Sequence, residues 1–192
     1  MLRRIKYNSP VVLTFALLSL CVLGLDYITD GVTTVKLFCV YRSSLGDVLT
    51  YPRFFLHVLG HSSLSHYMSN ILLMLVVGPA LEDKLGSRQL LISIIITAFA
   101  TGLVQFIFFP GTALLGASGI VFMMIVMLSM TGLRDGGIPI TMILVIVLYL
   151  GNEIATGLRS SDNISQLTHI IGGVCGVIIG AFYFKKRRRR RR

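Results

Sequence analysis

The segment LGASG at residues 115–119 lies between apolar runs, and it decides how the rest of the chain is interpreted. Its two glycines and alanine give the backbone room for a tight turn before the apolar stretch 120–128. Ser118 would then begin a helix, where unpaired backbone N–H groups and the positive end of the dipole surround its hydroxyl. Such a position suits the binding of a tetrahedral oxyanion. Taken alone, the segment is explained better as a small-residue patch for close helix packing in a membrane.

Composition indicates that the solvent around this segment is lipid. Of 192 residues, 54% are hydrophobic and only 14% are charged, against roughly 25% charged in soluble domains. The length fits one domain over residues 1–192. We predict an all-α polytopic membrane protein, a bundle of six transmembrane helices, from apolar stretches that could cross about 30 Å of hydrocarbon at 7–28, 64–81, 90–109, 118–133, 138–157 and 165–184. The fourth and fifth stretches are short or interrupted, so the count of six depends on helices that begin inside the membrane.

Positive charge predicts the orientation of these spans. Six spans put both termini, the loop 82–89 and the loop 132–137 on one side, together with 14 of the 18 basic residues. Short cytoplasmic loops collect Lys and Arg, so we expect both termini in the cytoplasm. The run 185–192, which is entirely basic, is expected to be a cytoplasmic tail that contacts the lipid bilayer. No aromatic residue is interleaved with it for base stacking, and we expect no nucleic acid partner.

The longest polar segment, 26–63, is predicted on the opposite, outer side. It has no clear periodicity, yet it is too apolar for a free linker. We expect this first outer loop to be partly embedded in the membrane interface. The prediction depends on its apolar side chains Phe54, Phe55, Leu56, Val58 and Leu59.

His169 lies near the start of the last predicted span. Gly172, Gly176 and Gly180 follow it at intervals of four residues and form one smooth helical stripe, which permits close contact with another helix. If that neighbour is the helix starting at Ser118, the imidazole can take the hydroxyl proton and later give it to a leaving amine. A lone histidine bonded to a backbone carbonyl is the alternative.

His66 and Asn70 are spaced i, i+4 near the start of the second span and share one helical face. Their N–H groups could supplement a backbone oxyanion site. A metal site is the rival for the four histidines, His57, His61, His66 and His169, but no Cys or carboxylate completes a recognised ligand spacing, so we expect neither metal nor cofactor. No acidic residue is an obvious orienter for His169, which favours a dyad with Phe122 packed on the imidazole.

In this order the motifs resemble the rhomboid family of intramembrane serine proteases, in its compact six-helix bacterial form. The resemblance covers nearly the whole chain and is carried by His66-x-x-x-Asn70, Glu82-x-x-x-Gly86-Ser87, Gly116-x-Ser118-Gly119 and His169-x-x-Gly172-x-x-x-Gly176.

The resemblance implies that Ser118 is the nucleophile and His169 the general base, acting on transmembrane protein substrates in a bacterial cytoplasmic membrane. The oxyanion would be bound by His66, Asn70 and the backbone N–H groups of Ala117 and Ser118. Four further residues would support these groups: Gly116, Gly119, Phe122 and Gly172. Arg53 and His61 would order the first outer loop, and Glu82 and Gly86 would stabilise the inner end of the second span.

Four positions depart from the family pattern. Phe122 stands where Tyr is common, Pro52 replaces Trp, Thr168 replaces Ala, and Gln166 often has Asn in its place. Phe keeps the ring that packs on the imidazole but lacks a hydroxyl. A catalytically inactive rhomboid-like protein that binds membrane proteins is the alternative function, and a small transporter or channel is a second; oligomeric state is left open.

Overall fold

The computed structural model describes residues 7–131 and 163–189, together with the single positions 140, 143, 144 and 147. Four of its helices are long and apolar enough to cross a membrane. The predicted span 118–133 contains an apolar helix of 12 residues, Ser118–Ser129, which is shorter than these four. The predicted span 138–157 lies outside the described residues except for those positions, so the count of six spans stays a prediction. In chain order the helices are α1 (Pro10–Ile28), α2 (Val32–Leu37), α3 (Thr50–Leu56), α4 (Leu64–Leu85), α5 (Ser87–Phe108), α6 (Ser118–Ser129) and α7 (Asn163–Arg189).

Local chemistry fixes the limits of the second predicted span, which is α4. The hydroxyl of Ser63 accepts the backbone N–H of His66 at 3.1 Å and so caps the first turn. At the other end Gly86 adopts φ +88°, a conformation that favours glycine, and its N–H donates to the carbonyl of Glu82 at 2.7 Å. α5 therefore starts at Ser87, three residues before the apolar run predicted from hydropathy at residue 90.

α6 is the central helix of the bundle. Ile120, Met123, Met124 and Met127 are fully buried, in one cluster with apolar side chains of α1, α4, α5 and α7. A helix buried on nearly every side needs no polar face, which explains why its sequence shows none. The flanking helices expose large apolar side chains, as expected where lipid is the solvent, among them Leu17, Leu18, Leu72, Val76, Ile95, Ile96, Val174 and Ile178.

Glu82 joins two helices at the end of the bundle opposite Ser118. Its two carboxylate oxygens each accept one backbone N–H of the first turn of α1, from Val11 and Val12, both at 3.1 Å. The carboxylate satisfies two donors that have no acceptor within α1 and lies at the positive end of its dipole. This contact sets the position of α1 against the last turn of α4.

The predicted outer loop contains more regular structure than its sequence indicates. Besides α2 and α3 it has a 3-10 turn at His57–Leu59 and the strand β1 (Val40–Tyr41). β1 pairs antiparallel with β2 (Ala113–Leu114), four residues before Ser118. This two-residue ladder is a small exception to the all-α prediction, and it ties the outer segment to the approach to α6.

Arg53 holds the outer segment together. Its Nε donates to the carbonyl of Lys36 at 2.8 Å, one guanidinium N–H donates to Asp47 at 3.0 Å, and the guanidinium lies 4.7 Å from the Tyr41 ring centroid. The Arg53 side chain is almost fully buried, so these partners replace its lost hydration. The ordering role implied for Arg53 by the family resemblance has a direct physical basis here.

The prediction that five apolar side chains embed this loop in the membrane needs correction for two of them. Phe54 and Val58 are buried within the protein, and Phe54 packs edge-to-face on Phe106 with ring centroids 5.3 Å apart. Apolar character alone does not distinguish a side chain that packs on α5 from one that faces lipid. Of the five, Phe55 is exposed, as are other apolar residues of the segment, including Val35, Leu45, Val48 and Tyr51.

Candidate active site

Ser118 is the first residue of α6, as the sequence predicts, and it is half-buried. The turn before it requires glycine at position 116, where φ is +122°. The N–H of Gly116 donates to the carbonyl of His57 at 2.9 Å, which fastens the turn to the outer segment. Ala117 is fully buried behind it. The first N–H groups of α6 have no acceptor within the helix, an arrangement that suits the binding of an oxygen beside Ser118.

The glycine stripe of α7 packs on α6. A Cβ placed on Gly172 would overlap the carbonyl oxygen of Gly119, and one on Gly176 would lie 2.8 Å from the carbonyl oxygen of Met123. Only glycine permits such backbone contact. Gly119 in turn faces Thr168, the residue before His169, since a Cβ there would lie 3.2 Å from the Thr168 methyl group. The turn that carries Ser118 is therefore packed against the turn that carries His169.

Phe122 lies one helical turn after Ser118 and stacks on His169. The two ring centroids are 4.3 Å apart and the ring planes differ by 4°. Because the side chain of residue i+4 stands on the same helical face as that of residue i, this stacking directs the imidazole toward the face of α6 that bears Ser118. The packing role that the sequence assigns to Phe122 thus has a defined geometry.

His66 and Asn70 meet the same turn from α4. A Cβ on Gly116 would lie 2.9 Å from Nε2 of His66 and 3.9 Å from Nδ2 of Asn70. The Asn70 amide donates to the carbonyl of His66 at 3.0 Å, and the other ring nitrogen of His66 lies 3.2 Å from the Ser62 hydroxyl. Glycine at 116 keeps open the space between these N–H groups and the backbone before Ser118. The four predicted elements of the site, on α4, the turn, α6 and α7, are brought together.

His57, considered at the sequence level only as a metal ligand, supports the turn before Ser118. Its ring is almost fully buried, with Nδ1 3.1 Å from the Arg53 carbonyl and Nε2 3.2 Å from the Thr101 hydroxyl. Burial lowers the pKa of His57 to about 4, so its imidazole is neutral at pH 7. His57 therefore connects the outer segment, α5 and the nucleophile turn without adding charge.

Burial also lowers the pKa of His61 to about 4, with a smaller contribution from the neighbouring His66. The His61 ring packs edge-to-face on His66 and Tyr67, with centroids 5.1 and 5.5 Å away. His61 thus stands behind the His66 imidazole, on the side where the outer segment meets α4.

A polar stripe on α5 was also missed at the sequence level. Ser93, Thr97, Thr101 and Gln105 are all buried and recur at intervals of four residues in an otherwise apolar helix. That interval places them on one face and is the signal that could have identified them. Thr101 packs against α6, since a Cβ on Gly119 would lie 3.2 Å from the Thr101 methyl group. The Gln105 amide donates to the carbonyl of Thr112 at 3.1 Å and to its hydroxyl at 3.0 Å. The stripe supports α6 and the segment leading into β2.

Within residues 7–131 and 163–189, no group of three or more His, Cys, Asp or Glu side chains has the arrangement of a metal site. Two acidic residues of the segment before α7, Glu153 and Asp162, lie outside the described residues. Among the described residues, the groups brought together around Ser118 are a hydroxyl, two imidazoles, an amide and backbone N–H groups.

Comparison with known proteins gives a family and several relatives. Residues 49–186 match the rhomboid family model, described as the Rhomboid domain. Proteins named Rhomboid protease GlpG from Salmonella newport (strain SL254), Salmonella heidelberg (strain SL476) and Salmonella schwarzengrund (strain CVM19633) are each 36% identical over 83 residues. That region is 43% of this chain and 30% of each relative, so the match spans about a third of the length of these curated proteins.

Proposed function

This chain belongs to the rhomboid family, and we propose that it is an intramembrane serine endopeptidase that cuts peptide bonds in or near transmembrane segments of other membrane proteins. Support at the family level comes from the match over residues 49–186 and from relatives whose names state that they are proteases. The four apolar helices fit a protein that acts within the bilayer.

In this proposal Ser118 is the nucleophile and His169 its base. The imidazole removes the hydroxyl proton as Oγ attacks the peptide carbonyl, and the same proton then passes to the leaving amine. Water subsequently attacks the acyl-enzyme ester: His169 takes a proton from the water and returns it to Oγ of Ser118 as the bond between Oγ and the acyl carbon breaks, which releases the acid product and restores the dyad. The observation that carries the proposal is the backbone-close packing of Gly119 on Gly172, together with the stacking of Phe122 on His169.

The oxyanion of the tetrahedral intermediate would be bound by four donors. His66 and Asn70 supply side-chain N–H groups beside Gly116, and Ala117 and Ser118 supply backbone N–H groups at the start of α6. Each well-placed donor is worth about 3 kcal/mol of transition-state stabilisation. The contact of the Ser62 hydroxyl with Nδ1 of His66 is compatible with a tautomer in which Nε2 carries the proton toward Gly116.

Stacking replaces an acidic orienter in this scheme. A carboxylate would both fix the imidazole and stabilise its charged form. Phe122 fixes the ring plane but contributes no charge, so the pair acts as a dyad. The membrane orientation proposed with it has both termini in the cytoplasm of a bacterial cell and the Ser118 end of the bundle facing outward, following the distribution of Lys and Arg.

A cleavage assay with purified protein in liposomes tests the proposal. A reporter substrate with one transmembrane segment is expected to be cut by the wild type and not by Ser118→Ala or His169→Ala, while Ser129→Ala serves as a control that removes a hydroxyl at the far end of α6. An inactive membrane-protein binder would hold the reporter without cutting it. Cleavage by both active-site variants at the wild-type rate would contradict the mechanism.

A further inference from the structure

Ser62, which precedes the N-cap residue of α4, belongs to none of the motifs that predict the site. Its hydroxyl lies 3.2 Å from Nδ1 of His66. We infer that Ser62 is a positioning residue: it donates its hydroxyl proton to Nδ1, holds His66 in the tautomer that carries its proton on Nε2, and strengthens that N–H as a donor to the oxyanion. The inference rests on the proposed function, because it concerns the oxyanion site of that reaction.

The two ring nitrogens of His66 have different surroundings. Nε2 would lie 2.9 Å from a Cβ on Gly116, on the side of the proposed oxyanion site, whereas Nδ1 faces the Ser62 hydroxyl. A neutral imidazole has one proton for its two nitrogens, so one nitrogen donates and the other accepts. An oxyanion accepts hydrogen bonds and cannot donate one, so Nε2 must carry the proton. Nδ1 is then the acceptor, and Ser62 supplies the donor that it needs.

The backbone groups of His66 are bonded to other residues. Its N–H donates to the Ser63 hydroxyl at 3.1 Å, and its carbonyl accepts from the Ser69 hydroxyl at 2.9 Å and from the Asn70 amide at 3.0 Å. These bonds fix the main chain in the first turns of α4, but none of them involves the ring. Among the described residues, Ser62 is the one hydrogen-bonding partner of this imidazole. The choice of tautomer therefore depends on Ser62.

His61 packs on the same imidazole without competing for its proton. The two rings meet edge to face, with centroids 5.1 Å apart. Nδ1 of His61 lies 3.1 Å from the Leu59 carbonyl, which can only accept, so this nitrogen carries the single proton of the neutral ring. His61 thus limits the tilt of the His66 ring, while Ser62 bonds its nitrogen. A hydrogen bond received at Nδ1 also polarises the ring and strengthens the bond that Nε2 donates.

Ser69 offers a matched control for Ser62. Both serines are exposed, and each contributes one hydroxyl contact to His66, from Ser62 to the ring and from Ser69 to the backbone. Removal of an exposed hydroxyl has little effect on folding. Ser62→Ala and Ser69→Ala should therefore both give folded protein, and only Ser62→Ala should change the ring.

Nuclear magnetic resonance of isotope-labelled histidine nitrogens, with the protein in liposomes, tests the inference without any substrate. The chain has four histidines, and the signals of His66 are identified by their loss in His66→Gln. At about pH 8, where an ordinary imidazole is neutral, the wild type should show a protonated Nε2 and an Nδ1 that accepts a hydrogen bond. Ser62→Ala should remove the shift that this bond causes at Nδ1. Ser62→Thr, which keeps the hydroxyl, and Ser69→Ala should both retain the wild-type signals.

The cleavage assay tests the consequence for the reaction. Ser62→Ala should lower kcat about 2- to 12-fold, the effect of losing one neutral hydrogen bond. KM should stay unchanged, because the oxyanion forms only after the substrate has bound. Ser62→Thr should keep the wild-type kcat, and Ser69→Ala should stay within about twofold of it. In a His66→Ala background, Ser62→Ala should have no further effect, since Ser62 acts through the ring.

A protonated Nδ1 in the wild type, or an Nδ1 signal that Ser62→Ala leaves unchanged, would overturn the inference. An effect of Ser62→Ala that is confined to KM, or that persists at full size without His66, would also overturn it, because Ser62 would then act on the substrate or on the fold. A wild type that cuts no reporter would instead refute the proposed function. The nitrogen signals would still decide whether Ser62 sets the tautomer.

Discussion

Replacing Gly172 with alanine should separate the two helices that carry the site. A Cβ at this position would overlap the carbonyl oxygen of Gly119 and would lie 2.9 Å from the Cα of Gly119. Ordinary carbon contacts need about 3.5–4.0 Å. The obstacle is backbone, which has no rotamer to change, so α6 and α7 must move apart by at least about 0.5 Å. The displaced atoms lie next to Ser118 on one helix and three residues from His169 on the other.

The expected cost has two parts. Overpacking of this size costs about 1–3 kcal/mol, offset by the roughly 1 kcal/mol that alanine gains over glycine in a helix. The net loss of stability should therefore be about 0–2 kcal/mol. Catalysis should suffer more, because a shift of about 1 Å in the position of reacting groups can lower a rate about 100-fold. We expect a 10- to 100-fold fall in kcat for cleavage of a transmembrane reporter in liposomes.

Neighbouring glycines provide the controls. Among the residues that the structure describes, a Cβ on Gly173 would meet only a methyl group of Val126 at 3.9 Å, so Gly173→Ala should keep activity within about twofold and keep or raise the unfolding temperature. Gly176→Ala meets the backbone of Met123 one turn further from His169, and it should lower stability with a smaller loss of activity. Wild-type kcat in a folded Gly172→Ala protein would refute the argument that this contact positions the dyad.

Three further predictions concern single side chains. Phe122→Leu should lower kcat about 2- to 12-fold, because it removes about 0.5–1.5 kcal/mol of ring stacking on the imidazole. Phe122→Tyr keeps the ring and should leave kcat unchanged. Equal rates for the two variants would contradict a role for the ring. Glu82→Gln should lower the free energy of unfolding in micelles by about 1–3 kcal/mol, because it weakens the hydrogen bonds from the backbone N–H groups in the first turn of α1. Asp83→Asn, at an exposed position, is the control. An equal effect of the two substitutions would contradict the stabilising role of the Glu82 carboxylate. Burial lowers the pKa of His57 to about 4, below the unfolded value of 6.5. Above pH 6.5 the ring is neutral in both states. As pH falls from 6.5 toward 4 the unfolded chain binds a proton that the folded chain does not, so the stability of the folded state falls. Between pH 7.5 and 5 the His57 contribution to this loss should be about 2 kcal/mol in chemical unfolding, and His61, whose pKa is lowered to a similar value, adds to the wild-type slope. His57→Asn should therefore show a profile flatter than the wild type by about 2 kcal/mol over this range; an unchanged slope would be inconsistent with the shift.

The sequence contained enough information to predict the helical bundle around Ser118. The small-residue turn before α6 and the four-residue glycine interval on α7 each have a direct steric meaning, so they predicted a helix start and a close helix contact. His66 and Asn70 could be placed on one face of α4 from their spacing alone. Which helix the glycine stripe would meet could not be derived from spacing, and the family resemblance supplied that step.

Parts of the outer segment could not be predicted from local sequence. α2 and α3 have six and seven residues, too few for a hydrophobic period to be recognised, and they are stabilised by distant contacts such as that of Arg53 with the Lys36 carbonyl. The β1–β2 ladder joins residues more than 70 positions apart. The support of the Gly116 turn by His57 is likewise a main-chain bond between distant segments, which no motif records.

The most direct test of the central claim is covalent labelling of Ser118. A fluorophosphonate probe is incubated with folded protein in liposomes, and the modified peptide is identified by mass spectrometry. We predict one adduct, on Ser118, that is absent from Ser118→Ala and strongly reduced in His169→Ala, with Ser129→Ala labelled at the wild-type rate. A protein that cuts its reporter while Ser118 stays unlabelled, or that is labelled equally well without His169, would contradict the dyad.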